Sequence, residues 1–446
     1  MNRRGFRLVM VADVAALTAI AVLSMVVRFG FDWPDAPPGL YLLSIGVAVA
    51  VFTSSLYFGG LYEREPRLGA PPALPRAGRQ TLAAGGLVAL LILGLTGVAR
   101  ELGFETDRAL PIPITNLATL IVVGAIAVAV NRRLVHVLRT HREGPPKVLL
   151  VGEPHESDTA QEHLRHDRRR VEVVGTHRGR EGLPDAVERV GATDVMLVEP
   201  SGLGSLYPEI LRDLDARGVT VLLRVTALET TYGLERIREV GGMPFVLLRT
   251  QTMPRSRAQF KRAFDLAVLL ATSPLLIVVL ALVATYQFIV AGTPLLYWQE
   301  RVGRGGRRFQ MVKFRTMGVD AEADGRGARL AERDDPRVIP ACRWIRATRL
   351  DELPQLWNVL RGEMSLVGPR PERPELAAHF VREIPGYERR HEIPPGLSGL
   401  AQIHGRYHTD PEYKLGYDLQ YLVNWSPLLD LEILARTLWV VLARRI

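Results

Sequence analysis

The chain has 446 residues, room for two or three domains, and its 48% apolar content with a mean hydropathy of +0.09 must be housed in a core or a membrane. One cysteine, Cys342, excludes an intrachain disulfide framework and any cysteine-built zinc site. The net charge of +9 and pI near 9.9 call for an anionic partner: nucleic acid, anionic lipid or a phosphorylated substrate.

Four apolar runs fill the start of the chain, roughly Leu8–Val27, Leu40–Tyr57, Leu82–Val98 and Ile112–Val130. Each approaches the ~20 residues a helix needs to cross a bilayer. The first is too long for an ordinary signal peptide and lacks its small-residue cleavage site. Arg3, Arg4 and Arg7 precede it, and Arg28 ends it at the interface. The second loop carries Arg64, Arg67, Arg76 and Arg79, and Arg132, Arg133, Arg139, Arg142 and Lys147 follow the fourth run. In the third loop Arg100 and Arg108 are outnumbered by Glu101, Glu105 and Asp107. This alternation predicts a four-span bundle, residues 1–143, with both ends cytoplasmic. A buried helical core would not produce it.

Residues 144–250 read as a Rossmann-like α/β domain, structural or regulatory. Lys147–Val151, Val171–Thr176, Asp194–Val198 and Val219–Val225 are expected strands, with helical stretches at Gln161–His166 and Leu206–Ala216. Alternation of the two predicts a parallel sheet. Where a dinucleotide fold wants G-x-G-x-x-G, the chain has Gly152-Glu153-Pro154-His155. Pro154 lacks an amide and Glu153 repels phosphate, which argues against nucleotide binding there.

Residues 251–446 form the expected mixed α+β catalytic domain. Phe264–Val290 is apolar and long enough to span, but Ser273-Pro274 falls inside it. The leading piece alone reaches only ~15 Å. Lys261 and Arg262 precede the segment, and Arg301, Arg304, Arg307, Arg308, Lys313 and Arg315 follow it. A straight crossing would put one basic cluster outside. A re-entrant membrane helix over about 262–290, bent at Ser273-Pro274, satisfies both constraints. The apolar run from Trp425 to Ile446 suits an interfacial helix or a core helix.

The chemistry concentrates in Arg349–Pro371, RLDELPQLWNVLRGEMSLVGPRP. Pro354 is tolerated only in a first turn, so a helix is expected to begin near Leu350–Leu353 and run through Leu360. Its positive end lowers the pKa of Asp351 and Glu352 and holds them ionised. An ionised aspartate can attack phosphorus. Its neighbour can help hold Mg²⁺, which takes one or two carboxylates and completes its shell with phosphate and water. An isolated acid pair of this kind is usually only a cap. Here cations surround it in sequence. On a strand, Lys313 and Arg315 share one face, able to clamp a diphosphate, with Val312 and Phe314 on the other. Arg301 opens a glycine-rich basic loop, Arg301–Arg307. Two prolines restrict the backbone around Arg370 in Gly368–Pro371, which suits phosphate recognition. A second turn, Pro394–Gly399, leads to Gln402 and Arg406; either turn could equally be structural. His391, His404 and His408 show no metal spacing.

These residues resemble the bacterial sugar transferase family, the monotopic polyprenyl-phosphate phosphoglycosyl transferases. Lys261–Asp265, the Ser273-Pro274 break, Gln299–Gly303, KFRTM at Lys313–Met317, Leu350–Pro371 and Pro395–Arg406 carry the likeness, over about residues 255–446. The four spans and α/β insert resemble its large hexose-phosphate-transferring members. The resemblance implies transfer of a sugar-1-phosphate from a UDP-sugar to undecaprenyl phosphate with release of UMP. That reaction opens exopolysaccharide, capsule or O-antigen synthesis. It implies Asp351 as nucleophile through a covalent phosphosugar, Glu352 in Mg²⁺ binding, and Lys313, Arg315 and Arg370 on phosphate. Arg301, Gln402 and Arg406 complete the candidate substrate-binding set. The implied partners are UDP-sugar, undecaprenyl phosphate and inner-membrane lipid, with no nucleic acid, and a homodimer is compatible. The implied location is the bacterial inner membrane, multi-pass, with the middle and catalytic domains cytoplasmic. Pro394 departs from the family, which often has a basic residue there; Arg389 or Arg390 would have to compensate.

Two other classes compete. A catalytically silent assembly or regulatory membrane protein need not keep the Asp351-Glu352 pair with its cations. A nicotinamide-dependent epimerase or dehydratase would need an intact glycine loop and a Tyr-x-x-x-Lys pair in 147–250, and the chain has neither.

Overall fold

The computed structural model describes residues 3–31, 33, 38–63, 68, 73–101, 111–165, 171–199, 206, 209–226, 238–248, 253–318, 335–404 and 410–442. They form two compact units, Met1–Thr250 and Gln251–Ile446.

The first unit begins with four long helices, α1 (Arg3–Phe29), α2 (Pro38–Phe58), α3 (Ala73–Glu101) and α4 (Ile114–Glu143). α1, α2 and α3 contain the first three apolar runs, and α4 begins at Ile114, two residues inside the fourth. Leu17, Phe52, Leu56, Val88 and Leu120 pack between them. Leu8, Leu23, Leu90 and Leu93 stay exposed, which suits lipid rather than water. Inside the bundle, Asp13 of α1 accepts from Arg132 at 2.5 Å and Asn131 at 2.6 Å, both of α4. These four helices and one in the second unit are long and apolar enough to cross a membrane. They mark a membrane protein.

A six-stranded sheet follows, in the order β2-β1-β3-β4-β6-β5. β1 (Lys147–Val151), β2 (Glu172–His177), β3 (Asp194–Leu197) and β4 (Thr220–Arg224) are parallel. Helices α5 (Pro154–Arg165), α6 (Leu183–Val190) and α7 (Glu209–Ala216) alternate with them. β5 (Arg238–Val240) and β6 (Met243–Leu248) form an antiparallel hairpin on the β4 edge, so the sheet is mixed rather than parallel throughout. Leu68, from the α2–α3 connection, is fully buried in the cluster of Val148, Leu150, Leu164 and Phe245 on one sheet face.

The second unit opens with α8 (Arg255–Ala291), 37 residues long, or ~55 Å at 1.5 Å per residue. The helix runs through Ser273 and Pro274. Pro274 has no N–H for the Leu270 carbonyl, and the Ser273 hydroxyl donates to that carbonyl at 2.8 Å instead. Both ends of α8 are fastened within this unit. Near the start, Lys261 pairs with Asp430 at 2.8 Å and Arg262 donates to the Val359 and Leu360 carbonyls. Near the end, Gln287 donates to the Arg315 carbonyl and Tyr286 to the Ala341 carbonyl. Between them Leu270, Leu275, Ile277, Val278 and Leu282 lie exposed.

The rest packs beneath α8. β7 (Leu296–Val302) and β8 (Arg308–Phe314) make an antiparallel hairpin. α9 (Arg343–Ala347), a 3₁₀ helix (Leu350–Gln355) and α10 (Leu356–Arg361) lead to β9 (Ser365–Val367) and α11 (Pro374–Glu383). A second 3₁₀ helix (Tyr387–Glu392), β10 (Gly396–Ser398), α12 (Leu400–His404), α13 (Pro411–Asn424) and α14 (Pro427–Leu442) complete it. In α14, Ile433 is in the core while Leu428, Leu438 and Trp439 are exposed, so this terminal helix serves the core on one face and leaves an apolar face outside.

Candidate active site

The acid pair sits on a 3₁₀ helix, not at the start of an α-helix. Pro354 inside the segment blocks ordinary α hydrogen bonding, and the α-helix begins only at Leu356. In a 3₁₀ helix residues three apart eclipse, so Leu350 and Leu353 share one face. Leu350 joins the apolar cluster of Val283, Phe314 and Ile345, and Leu353 joins that of Leu269, Met311 and Leu356. Phe314 and Met311 of β8 belong to these same two clusters, and Lys313 between them comes within reach of the acid pair. Asn358 of α10 fixes that approach: it accepts from the Val312 N–H at 3.1 Å and donates to the Gln310 carbonyl at 2.8 Å.

Lys313 of β8 therefore meets Glu352 directly, Nζ to Oε1 at 2.8 Å. Arg370 reaches the same oxygen at 3.1 Å, and Arg349 stands 3.9 Å from Oε2. Among the described residues none donates a hydrogen bond to the Asp351 carboxylate, which meets Lys313, Arg346 and Arg349 through charge alone. One acid is anchored and its neighbour is open.

Their protonation separates accordingly. Burial opposes ionisation of Glu352, but Lys313, Arg370 and Arg349 outweigh it and hold the carboxyl far below its usual range. Burial and the adjacent Glu352 charge push Asp351 up, against Lys313, Arg346 and Arg349. The expected lowering of both acids thus holds for Glu352 alone, and through cations rather than a helix end. Burial and the Arg370 cation also pull Lys313 below its ordinary value, against the attraction of Glu352.

The other candidate residues divide. Arg315 lies just beyond β8, away from the acid pair. Its guanidinium takes the Ala291 carbonyl, Pro294 at 2.7 Å, and Gly292 and Met317 at 3.3 Å. It caps the carbonyl end of α8, whose last turn has no intrahelical donors. Arg301 donates to the Pro371 carbonyl at 3.1 Å and to Gln299, and burial together with the Arg370 charge pushes it down to about 10. Gln402 donates to the Leu397 carbonyl at 3.3 Å. Arg406 lies outside the described residues. Lys261 and Arg262, read in the sequence as membrane-flanking cations, are spent inside the unit: Arg262 caps α10, and Lys261 enters a buried network of Asp265, Asp430, Tyr421 and Trp425.

The two proline turns meet. β9 and β10 pair in parallel, which brings Gly368-Pro369-Arg370 against Pro395-Gly396. Gly368 donates to the Ser398 carbonyl at 2.8 Å and Gly396 to the Pro369 carbonyl at 2.9 Å. A Cβ on Gly396 would overlap the backbone of Gly368 and Ser398. Gly396→Ala is expected to destabilise the protein by about 3 kcal/mol and to depress turnover with it. Thermal unfolding of the detergent-purified variant checks this; an unchanged melting temperature would contradict the close approach.

Among the described residues no three His, Cys, Asp or Glu side chains converge to hold a metal by themselves. Mg²⁺ needs fewer, since phosphate and water complete its shell. Asp351 and Glu352 are the two adjacent carboxylates of this site.

A buried acid pair ringed by Lys313, Arg349 and Arg370, in a unit that carries a helix long and apolar enough to cross a membrane, defines the class: a membrane protein with a cationic pocket around two carboxylates. The pattern of the bacterial sugar transferase family matches residues 256–444. An N-acetylgalactosaminephosphotransferase acting on undecaprenyl phosphate from Aeromonas hydrophila is 38% identical over 42% of this chain and 44% of its own length. The undecaprenyl-phosphate glucose phosphotransferase of Komagataeibacter xylinus is 42% identical over 44% of this chain and 38% of its own. A UDP-glucose:undecaprenyl-phosphate glucose-1-phosphate transferase of Caulobacter vibrioides is 40% identical over 40% of this chain and 67% of its own. The chain spans less than half the length of the first two. It belongs to the bacterial sugar transferase family.

Proposed function

We propose that this chain transfers a sugar-1-phosphate from a UDP-sugar to undecaprenyl phosphate and releases UMP, the opening step of exopolysaccharide, capsule or O-antigen synthesis. The observation that carries this reading is the division of labour between the acids: Glu352 tied by Lys313 and Arg370, Asp351 open. The Asp351 carboxylate attacks the sugar-bearing phosphorus and the P–O bond to UMP breaks. An oxygen of undecaprenyl phosphate then attacks the same phosphorus, which frees Asp351 and leaves the sugar on a lipid diphosphate. Arg370 and Lys313 offset the charge of the diphosphate while Glu352 holds both cations in place. Asp351 and Glu352 would hold Mg²⁺, which supplies further neutralisation of the diphosphate when bound. The names of the relatives support UDP-sugar and undecaprenyl phosphate as the substrate classes.

The location is the bacterial inner membrane, with α1–α4 spanning and the catalytic unit on the cytoplasmic side. α8 is re-entrant in this reading. Its two ends are held by one folded unit, and its exposed apolar middle needs lipid, which supports entry and exit on one face. Such a helix brings a lipid-borne phosphate to a site that draws its other substrate from water.

The test is a single-turnover incubation with a panel of UDP-sugars and Mg²⁺, without undecaprenyl phosphate. One sugar should give a burst of UMP near one equivalent, with the mass of a sugar phosphate on the peptide containing Asp351. Steady UMP release that requires the lipid, with no protein adduct, would defeat the covalent route.

A further inference from the structure

We infer that Arg390 is the positioning residue for Arg370, an inference that rests on the transfer reaction proposed above. The Arg370 turn is tied at nearly every backbone group. Tyr421 donates to the Val367 carbonyl at 3.0 Å, Gly396 to Pro369 at 2.9 Å, Arg301 to Pro371 at 3.1 Å and Val302 to Glu372 at 3.0 Å. The Arg370 carbonyl itself takes Arg390 Nη2 at 3.0 Å. Pro369 and Pro371 have no N–H, so carbonyls are the main handles by which this turn can be held.

Arg390 is 5% exposed, an expensive place for a guanidinium unless it is paired. Asp418 of α13 lies 2.9 Å away, Glu372 3.7 Å, and the Tyr387 hydroxyl accepts from Nη1. The cation also stacks 4.9 Å from the Tyr387 ring centroid. Arg389, the alternative replacement for the family's missing cation at Pro394, pairs with Glu392 at 3.3 Å. Arg390 thus faces inward and cannot be the substrate cation that the sequence suggested. Nη2 lies beside both Asp418 and the Arg370 carbonyl while Nη1 reaches the Tyr387 hydroxyl, a spread over two nitrogens that the single nitrogen of a lysine does not reproduce. The chain of contacts runs Asp418, Arg390, Arg370 carbonyl, Arg370 guanidinium, Glu352. Arg390 contributes by holding the Arg370 side chain at Glu352 before substrate arrives.

The experiment is a double-mutant cycle in the full-length protein. Arg390→Lys should lower kcat/KM about tenfold in the wild-type background and less than twofold in an Arg370→Ala background, because its effect passes through Arg370. Equal losses in both backgrounds, or none in the first, would overturn the inference. Tyr387→Phe, which removes one contact to Arg390, should give a smaller loss with the same dependence on Arg370 and serves if Arg390→Lys fails to fold. Hydrogen exchange of the peptide covering 365–373 gives a readout independent of turnover. It should rise in either variant while the β7–β8 hairpin stays protected, and unchanged exchange would overturn the positioning role. A wild type silent with every UDP-sugar would defeat the proposed reaction and leave the exchange result to judge Arg390.

Discussion

Asp351→Asn is expected to lower UMP release by at least about a thousand-fold and to abolish the protein-bound sugar phosphate, while the protein melts at a higher temperature than wild type. The two effects share one cause. The open carboxylate is buried beside Glu352, so its ionised form is disfavoured in the fold and its pKa is pushed up to about 6. A group raised in this way costs stability where it is ionised in both states, at neutral pH, and the cost fades as pH falls through 6 toward the ordinary range. Asparagine keeps the shape, removes the charge and cannot form an acyl phosphate. Loss of activity with lowered stability would indicate a damaged fold instead. Retained turnover would remove Asp351 from the nucleophile's role.

Lys313→Met should act on both acids at once. Lys313 is the largest charge opposing protonation of each. In wild type the rate should fall toward acid pH, because Asp351 protonates and can no longer attack. Without Lys313 this acid limb should move to higher pH, and kcat/KM near neutrality should fall about a hundred-fold. Stability should also fall, by about 3 kcal/mol at pH 7, because one partner of a buried pair is gone. Glu352 is held below its ordinary value, so its stabilising contribution is present above that value and is lost as pH falls through the folded one. The melting difference between variant and wild type should therefore narrow at pH 4. An acid limb that stays in place, or a difference that does not narrow, would show that Lys313 does not hold the pair.

Much of the site was legible because it is local. Asp351, Glu352 and Arg370 lie within twenty residues, and strand alternation singled out Lys313. What escaped depends on pairings that no period in the sequence encodes. Arg315 shares a motif with Lys313, yet one residue past the strand it meets the open carbonyls of α8. Lys261 reads as a surface charge because lysines seldom lie inside, and its acid, Asp430, is far along the chain. The contact of β9 with β10 was not foreseen: both proline turns carry glycines, but that the two meet needs the register. In the first unit the parallel strands followed from their apolar runs, whereas the β5–β6 hairpin closing the sheet edge was missed, although Gly241-Gly242 ahead of the apolar run Met243–Leu248 is a hairpin signal.

Leu350 and Leu353 have one more consequence. They are three residues apart, but they belong to different apolar clusters: one takes in Val279 to Tyr286 of α8, the other Val268 to Leu276. Pro274 lies close to the border between these stretches. The acid pair thus lies between two leucines packed against successive stretches of one helix. Any flexing of that helix would pull the two leucines apart or together, and the acid pair between them would follow.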